Sequence, residues 1–257
     1  MYEFERTFDN AILDYESTRP TYVKELYDDI FKYKEINANS NVLEIGIGTG
    51  IATLPILEKG CQVAAVEPGE NLAEFVREKY KNYGNFTLYN ETLQEYDGPA
   101  KAFDLIYAAT SFHWIPEEYG YKRVYELLKN GGAFARFAYH AGKDKGREAL
   151  ASKMQEIYKT YMNADREPKE YSKMEAKALA EIADKYGFAD IDYKMYQWTK
   201  DFTADEYMKL LRTYPDHMSL ESMKRERLFH EIHNAITESG GIITVYYTMD
   251  LQLARKR

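Results

Sequence analysis

The run Glu44-Ile45-Gly46-Ile47-Gly48-Thr49-Gly50 constrains this chain more than any other stretch. It grows out of Val42-Leu43-Glu44-Ile45, a short apolar segment that reads as a buried parallel strand, and leads into a helix beginning near Ile51 and closed by Gly60. Glycine at positions 46 and 48 permits backbone angles closed to other residues and lets a ligand lie against the main chain. The start of the following helix adds free amide groups and the positive end of its dipole. A strand, a glycine turn and a helix in that order belong to open α/β sheets, which bind ligands beyond the carboxyl ends of their strands.

The same alternation continues downstream. Gln62 to Val66 reads as a second strand ending at Glu67-Pro68-Gly69, and Leu72, Phe75, Val76 and Tyr80 mark one face of the next helix. Phe86 to Tyr89 and Phe103 to Ala108 are the third and fourth strands. Tyr121, Val124, Tyr125 and Leu128 form a helix stopping at Asn130-Gly131-Gly132, and Ala133 to Ala138 is a fifth strand. Ahead of all this, Val23, Leu26, Tyr27, Ile30 and Phe31 fall at helical spacing. The expected fold is α/β and Rossmann-like, a mostly parallel sheet with helices on both faces.

Past residue 140 the character changes. Two helices are predicted over 146–186, one with Leu150, Met154, Ile157, Tyr158 and Tyr161 on its apolar face. Strands over Phe188 to Thr199 and Ile242 to Leu253 bring the sheet to seven strands, and helices over Asp205 to Tyr214 and Ser219 to Glu238 lie between them. The expected organisation is an N-terminal helical segment and ligand-binding core over 1–140, a helical cap insertion over 141–187, and the final strands over 188–257 with further cap helices at 203–238.

A net charge of −8 repels phosphate backbones, and the terminal Arg255-Lys256-Arg257 is too short a basic tract to offset it, so nucleic acid is not an expected partner. No apolar run approaches the roughly 18 residues of a membrane span. The first residues lack the flank and apolar core of a signal peptide, and Cys61 is the single cysteine, so a cytoplasmic protein is expected. His230 and His233 do not have H-E-x-x-H spacing, so no metal site is expected.

The glycines follow G-x-G-x-G; a dinucleotide fingerprint would need glycine at Ile51. Glu44, two residues before the first glycine, would repel a pyrophosphate and attract the ammonium and sulfonium of S-adenosylmethionine. Glu67, at the end of the second strand, suits two ribose hydroxyls, and Glu91, in the Asn90-Glu91-Thr92 loop, suits an adenine amine. The alternatives are an NAD-dependent oxidoreductase and a non-catalytic S-adenosylmethionine-binding protein.

These segments resemble the class I S-adenosylmethionine-dependent methyltransferases, more narrowly the small-molecule branch with trans-aconitate methyltransferase-like proteins. The resemblance runs through Val42 to Gly50, Val63 to Pro68, Phe103-Asp104-Leu105-Ile106, Ser111-Phe112-His113-Trp114 and Leu127 to Gly132, with Phe8, Tyr15 and Arg19-Pro20-Thr21-Tyr22 upstream. It implies strand order 3-2-1-4-5-7-6. It also implies that Gly46, Gly48 and Gly50 hold the methionine moiety, Glu67 and Pro68 the ribose, and Glu91-Thr92 the adenine. The loop from Ala108 to Ile115 should border the methyl group. It lacks the Asn/Asp-Pro-Pro-aromatic tetrad of enzymes that methylate planar amines. That points to another kind of small-molecule acceptor, among them a carboxylic acid. In this reading His113 is a base or an orienting group, Trp114 walls the sulfonium, Tyr15 faces it, and Arg19 binds the donor's carboxylate or an acidic substrate. Tyr139 and His140, after the fifth strand, are further candidates for the cleft.

Overall fold

Asn41–Ile45 (β1) lies at the centre of a seven-stranded sheet, between Gln62–Val66 (β2) and Phe103–Ala109 (β4), parallel to both. The structure is a computed structural model and describes residues 12–142, 144–162 and 170–257; Phe8 lies outside them. Phe86–Tyr89 (β3), Leu128–Gly142 (β5), Phe188–Thr203 (β6) and Ile242–Lys256 (β7) complete the order β3-β2-β1-β4-β5-β7-β6. Strands β1 to β5 are parallel, and β7 runs antiparallel to both β5 and β6. This is the Rossmann-like order expected above.

Alternation along the strands builds two core layers. Val42, Leu105, Tyr107 and Phe137 face one way, packing with Leu26 and Ile30 of Lys24–Tyr33 (α2), which follows Ile12–Thr18 (α1). Leu43, Ile45, Ile106 and Phe134 face the other, against Val124 and Leu127 of the helix Glu117–Leu127. The helix expected from Ile51 is only Leu54–Leu57 (α3). Pro55 is tolerated only in a first turn, and Gly60, with φ 76°, ends the segment.

The last three strands are longer than their apolar patterns suggested. Pairing of β5 with β7 runs unbroken from Ala133↔Arg255 to Gly142↔Tyr246, and β6 pairs with β7 as far as Thr203↔Ile242. This long antiparallel ribbon projects past the carboxyl ends of β1 to β4. Against it lies a third cluster, with Leu150 and Met154 from Glu148–Met162 (α4), Leu211 from Ala204–Leu211 (α5), and Leu228 and Ile232 from Ser222–Glu238 (α6). The helix expected from Ser219 starts instead at Ser222, because Glu221 caps α6 through the amides of Met223 and Lys224, and Pro215–Met218 forms a separate short helix ahead of it. Among the described residues no helix is long and apolar enough to cross a membrane.

Candidate active site

The turn after β1 is held rigidly. Gly46 and Ile47 donate to the Val66 carbonyl, and Ser111 Oγ donates to Ile45 O. Gly46, Gly48 and Gly50 all have positive φ, at 67°, 58° and 77°. The Glu67 carboxylate closes over the turn, Oε2 accepting from Gly48 N at 2.8 Å and Oε1 from Gly69 N at 2.9 Å. A carboxylate gripping two backbone amides is fixed in direction.

Beside the turn is a cleft of about 1030 Å³, open on one side. Gly46, Gly48 and Thr49 form its floor, Glu67 and Pro68 one wall, and Thr92, Leu93 and Gln94 the end below β3. Ser111, Trp114 and Ile115 line the opposite wall, with Tyr15 and Tyr22 over it. A Cβ built on Gly48 would meet nothing within 4 Å. Thr49 Oγ1 is buried with no hydrogen-bond partner. A bare main-chain floor, an orphaned hydroxyl and a fixed carboxylate suit a polar ligand with ribose-like hydroxyls. No lysine or arginine lines this cleft among the described residues, which suits a sulfonium better than a diphosphate.

Several expected residues lie elsewhere. Glu44 shares the Val42 face of β1 and is fully buried beneath the turn. Its Oε2 accepts from Tyr107 Oη and, at 2.7 Å, from Thr53 Oγ1, while Oε1 has no partner. Burial pushes this carboxyl up to about 7 against those two hydrogen bonds, so at neutral pH it is not the full negative charge the electrostatic argument assumed. Gly50 serves packing: a Cβ there would come within 2.7 Å of the Tyr80 ring. Ala108 is buried in the strand, and it is Ala109 that lines the cleft. Glu91 does not line the cleft either, whereas Thr92 does.

His113 is also outside. Phe112–Trp114 is a 3₁₀ turn, in which positions three apart share a side, so Ser111 and Trp114 face the cleft together and His113 faces away. It is exposed, its ring 4.9 Å from that of Trp114. Surrounding protein, then the charges of Arg136 and His140, hold its imidazolium below the usual range. His140 is likewise turned away, bonded to the buried Asp250 at 2.8 Å.

Other residues come in that sequence reasoning did not single out. Tyr22 Oη lies 2.6 Å from Thr110 Oγ1, and Thr110 has φ 55°, a strained angle for a β-branched residue. Tyr139, which the sequence offers as a candidate, lies on the face of β5 opposite His140 and reaches both this cleft and a second one.

That second chamber, of about 1180 Å³, shares Thr110 and Tyr139 with the first. Arg19 lines it and does not line the first cleft. The buried guanidinium donates from Nε to Thr213 Oγ1 at 2.9 Å, from Nη2 to Thr213 O at 2.7 Å and from Nη1 to Tyr139 Oη at 2.8 Å. It sits 4.8 Å from the Tyr15 ring centroid and 4.4 Å from that of Tyr214. Across the chamber, His217 is bonded to Asp216 at 2.8 Å and to Tyr158 Oη at 3.2 Å. His230 and His233 take separate partners, Asn234 and Asp205, on the outer surface.

Comparison with known proteins places the chain among methyltransferases. Residues 42–132 match the methyltransferase domain family. An uncharacterized methyltransferase of Anoxybacillus flavithermus is 30% identical over 184 residues, covering 63% of this chain and 85% of the relative. Another from Schizosaccharomyces pombe is 22% identical over 233 residues, 90% of this chain and 87% of the relative. In fold, the chain is similar to the Haemonchus contortus phosphoethanolamine N-methyltransferase 2 solved with S-adenosyl-L-methionine, with TM-score 0.56, 18% identity, 98% of this chain and 60% of that one. The chain belongs to the class I S-adenosylmethionine-dependent methyltransferases, an enzyme whose cofactor is S-adenosylmethionine.

Proposed function

We propose that the enzyme methylates a small molecule held in the chamber beyond Thr110 and Tyr139, and that this acceptor is a carboxylic acid. The observation that carries the reading is the meeting of the two cavities at those two residues. A ligand in the first is then in reach of a ligand in the second. The cofactor supplies an electrophilic methyl group, so the protein's part is alignment, which is worth roughly 7–11 kcal/mol at best.

In this reading Gly46, Gly48 and Thr49 cradle the methionine moiety, Glu67 accepts from the ribose hydroxyls, Pro68 packs beside the sugar, and Thr92 borders the adenine. Tyr15 and Trp114 wall the sulfonium. A carboxylate acceptor brings its own negative charge and needs no base, in keeping with the position of His113 outside the cleft.

Calorimetry tests the cofactor half. S-adenosylmethionine and its demethylated product should bind, NAD should not, and Glu67→Ala should weaken the donor by about 1–3 kcal/mol. Unchanged affinity in a folded Glu67→Ala variant would remove that carboxylate from the donor site.

A further inference from the structure

The second chamber is unevenly built. Tyr139, shared with the cofactor cleft, accepts from Arg19 through its hydroxyl; Leu150, Met154, Leu210, Leu211, Ile243 and Val245 form the apolar part of the lining, beside the polar Gln155, Tyr158 and His217. Arg19 has three hydrogen bonds and no acidic partner among the described residues. A guanidinium carries five donors, so two N–H groups beyond those three remain to be matched. Two carboxylates line the chamber and are already engaged, Asp144 by the amides of Gly146 and Thr244 and Asp216 by His217. Tyr247 shares the β7 face of Ile243 and Val245. It is fully buried and its hydroxyl has no partner. Its ring lies 5.8 Å from that of Tyr139. A buried cation with no counter-ion, bonded to the Tyr139 hydroxyl in the chamber wall, with an unpaired buried hydroxyl behind the Tyr139 ring, suits an anionic ligand.

We infer that the acceptor is an amphipathic monocarboxylate, its carboxylate held by Arg19 and Tyr139 at the junction and its hydrocarbon or aromatic body in the apolar lobe. The inference rests on the methyl-transfer reading above and adds the acceptor's shape and charge. A polycarboxylate does not fit, because no second lysine or arginine lines the chamber among the described residues and its histidine, His217, is already bonded to Asp216. The reaction balances without another reactant. A carboxylate oxygen lone pair forms a bond to the methyl carbon, the carbon–sulfur bond breaks with its pair going to sulfur, and the products are a methyl ester and the neutral thioether. No proton is released.

Arg19 also bonds the carbonyl and hydroxyl of Thr213 just after α5, and a helix-capping role alone would give those two bonds. Titration of the protein loaded with S-adenosylhomocysteine separates the two. Octanoate and 4-phenylbutanoate should bind at least about tenfold tighter than octanamide, octyl phosphate or tricarballylate, and mass spectrometry with S-adenosylmethionine should find their methyl esters. Arg19→Gln should cost at least about tenfold in acid affinity with S-adenosylhomocysteine binding unchanged. If that variant does not fold, Arg19→Lys keeps the charge, loses the fork, and should weaken the acid in the same direction. Independently, Met154→Trp should shift preference from octanoate to hexanoate by filling the lobe. Equal binding of octanoate and octanamide, preference for the tricarboxylate or phosphate, or a matching loss of S-adenosylhomocysteine affinity in Arg19→Gln overturns the inference. Failure of S-adenosylhomocysteine to bind the unmodified protein would instead overturn the underlying site reading.

Discussion

Glu44 occupies a position where alternation and chemistry pull against each other. On the buried face of β1 its carboxylate is desolvated, and only Tyr107 and Thr53 hydroxyls compensate. Its folded-state pKa of about 7 lies above the 4.5 of the free side chain. Folding therefore binds a proton between those values: the contribution is fully present below about 4.5 and is lost as pH rises to about 7, then stays constant. The span corresponds to about 3 kcal/mol as an upper bound. Glu44→Gln removes this titration while keeping an acceptor for both hydroxyls. Urea unfolding should show the variant gaining on the wild type between about pH 5 and about pH 8, and parallel profiles would mean the carboxylate stays ionised throughout. At this scale the sequence revealed that an acid stands before the glycines. It did not reveal which way the acid points, because a five-residue buried strand carries no alternation of polarity from which to read its faces. His113 was misplaced for a related reason, since a one-turn 3₁₀ segment has too few residues to show a period.

Elements were legible in proportion to how local their causes are. The glycine turn announced itself, and its glycines have separable duties. At Gly46 a Cβ would lie 2.7 Å from Ser111 Cβ at a φ of 67°, whereas at Gly48 it would project into open cleft. Gly46→Ala should combine a left-handed penalty of about 1–2 kcal/mol with a displaced Ser111 loop, lowering the melting temperature the more of the two. Gly48→Ala should lower it less and weaken donor binding out of proportion. Equal melting temperatures, read by circular dichroism, would contradict the packing role given to Gly46. Helix starts were written in the sequence too. Ser172 with Glu175 and Thr203 with Glu206 both form complete capping boxes, a pattern detectable at that spacing. The far ends of β5 and β6 were not legible: Tyr139 to Gly142 and Lys200 to Thr203 are extended by pairing with β7, whereas Lys129 to Gly132 keeps an irregular backbone between the paired Leu128 and Ala133, with Gly131 at φ 73°.

On the scale of the whole molecule, the donor cleft and the proposed acceptor chamber rest on different cores. The cleft stands on the two layers flanking β1 and β4, while the chamber is roofed by α4, α5 and α6 over the antiparallel ribbon. They are joined where Arg19 bonds to Thr213, where the helix Ile12–Thr18 packs on α5, and where the Tyr22 ring lies 6.1 Å from that of Tyr139. Weakening the third cluster should therefore reach the acceptor before the donor. Leu228 is fully buried in it, and Leu228→Ala should cost about 2–5 kcal/mol locally. Hydrogen exchange should speed in α5 and α6 while amides of β1 and β2 keep their protection, since opening free energies differ between cooperative units. In the same variant, calorimetry should find S-adenosylhomocysteine affinity unchanged and octanoate affinity reduced. If exchange accelerated equally in β1, the helical roof and the sheet would be one cooperative unit. A roof that can open while the cofactor stays bound would let acceptors enter and esters leave between turnovers, and this separation of cores is the physical basis for that order of events.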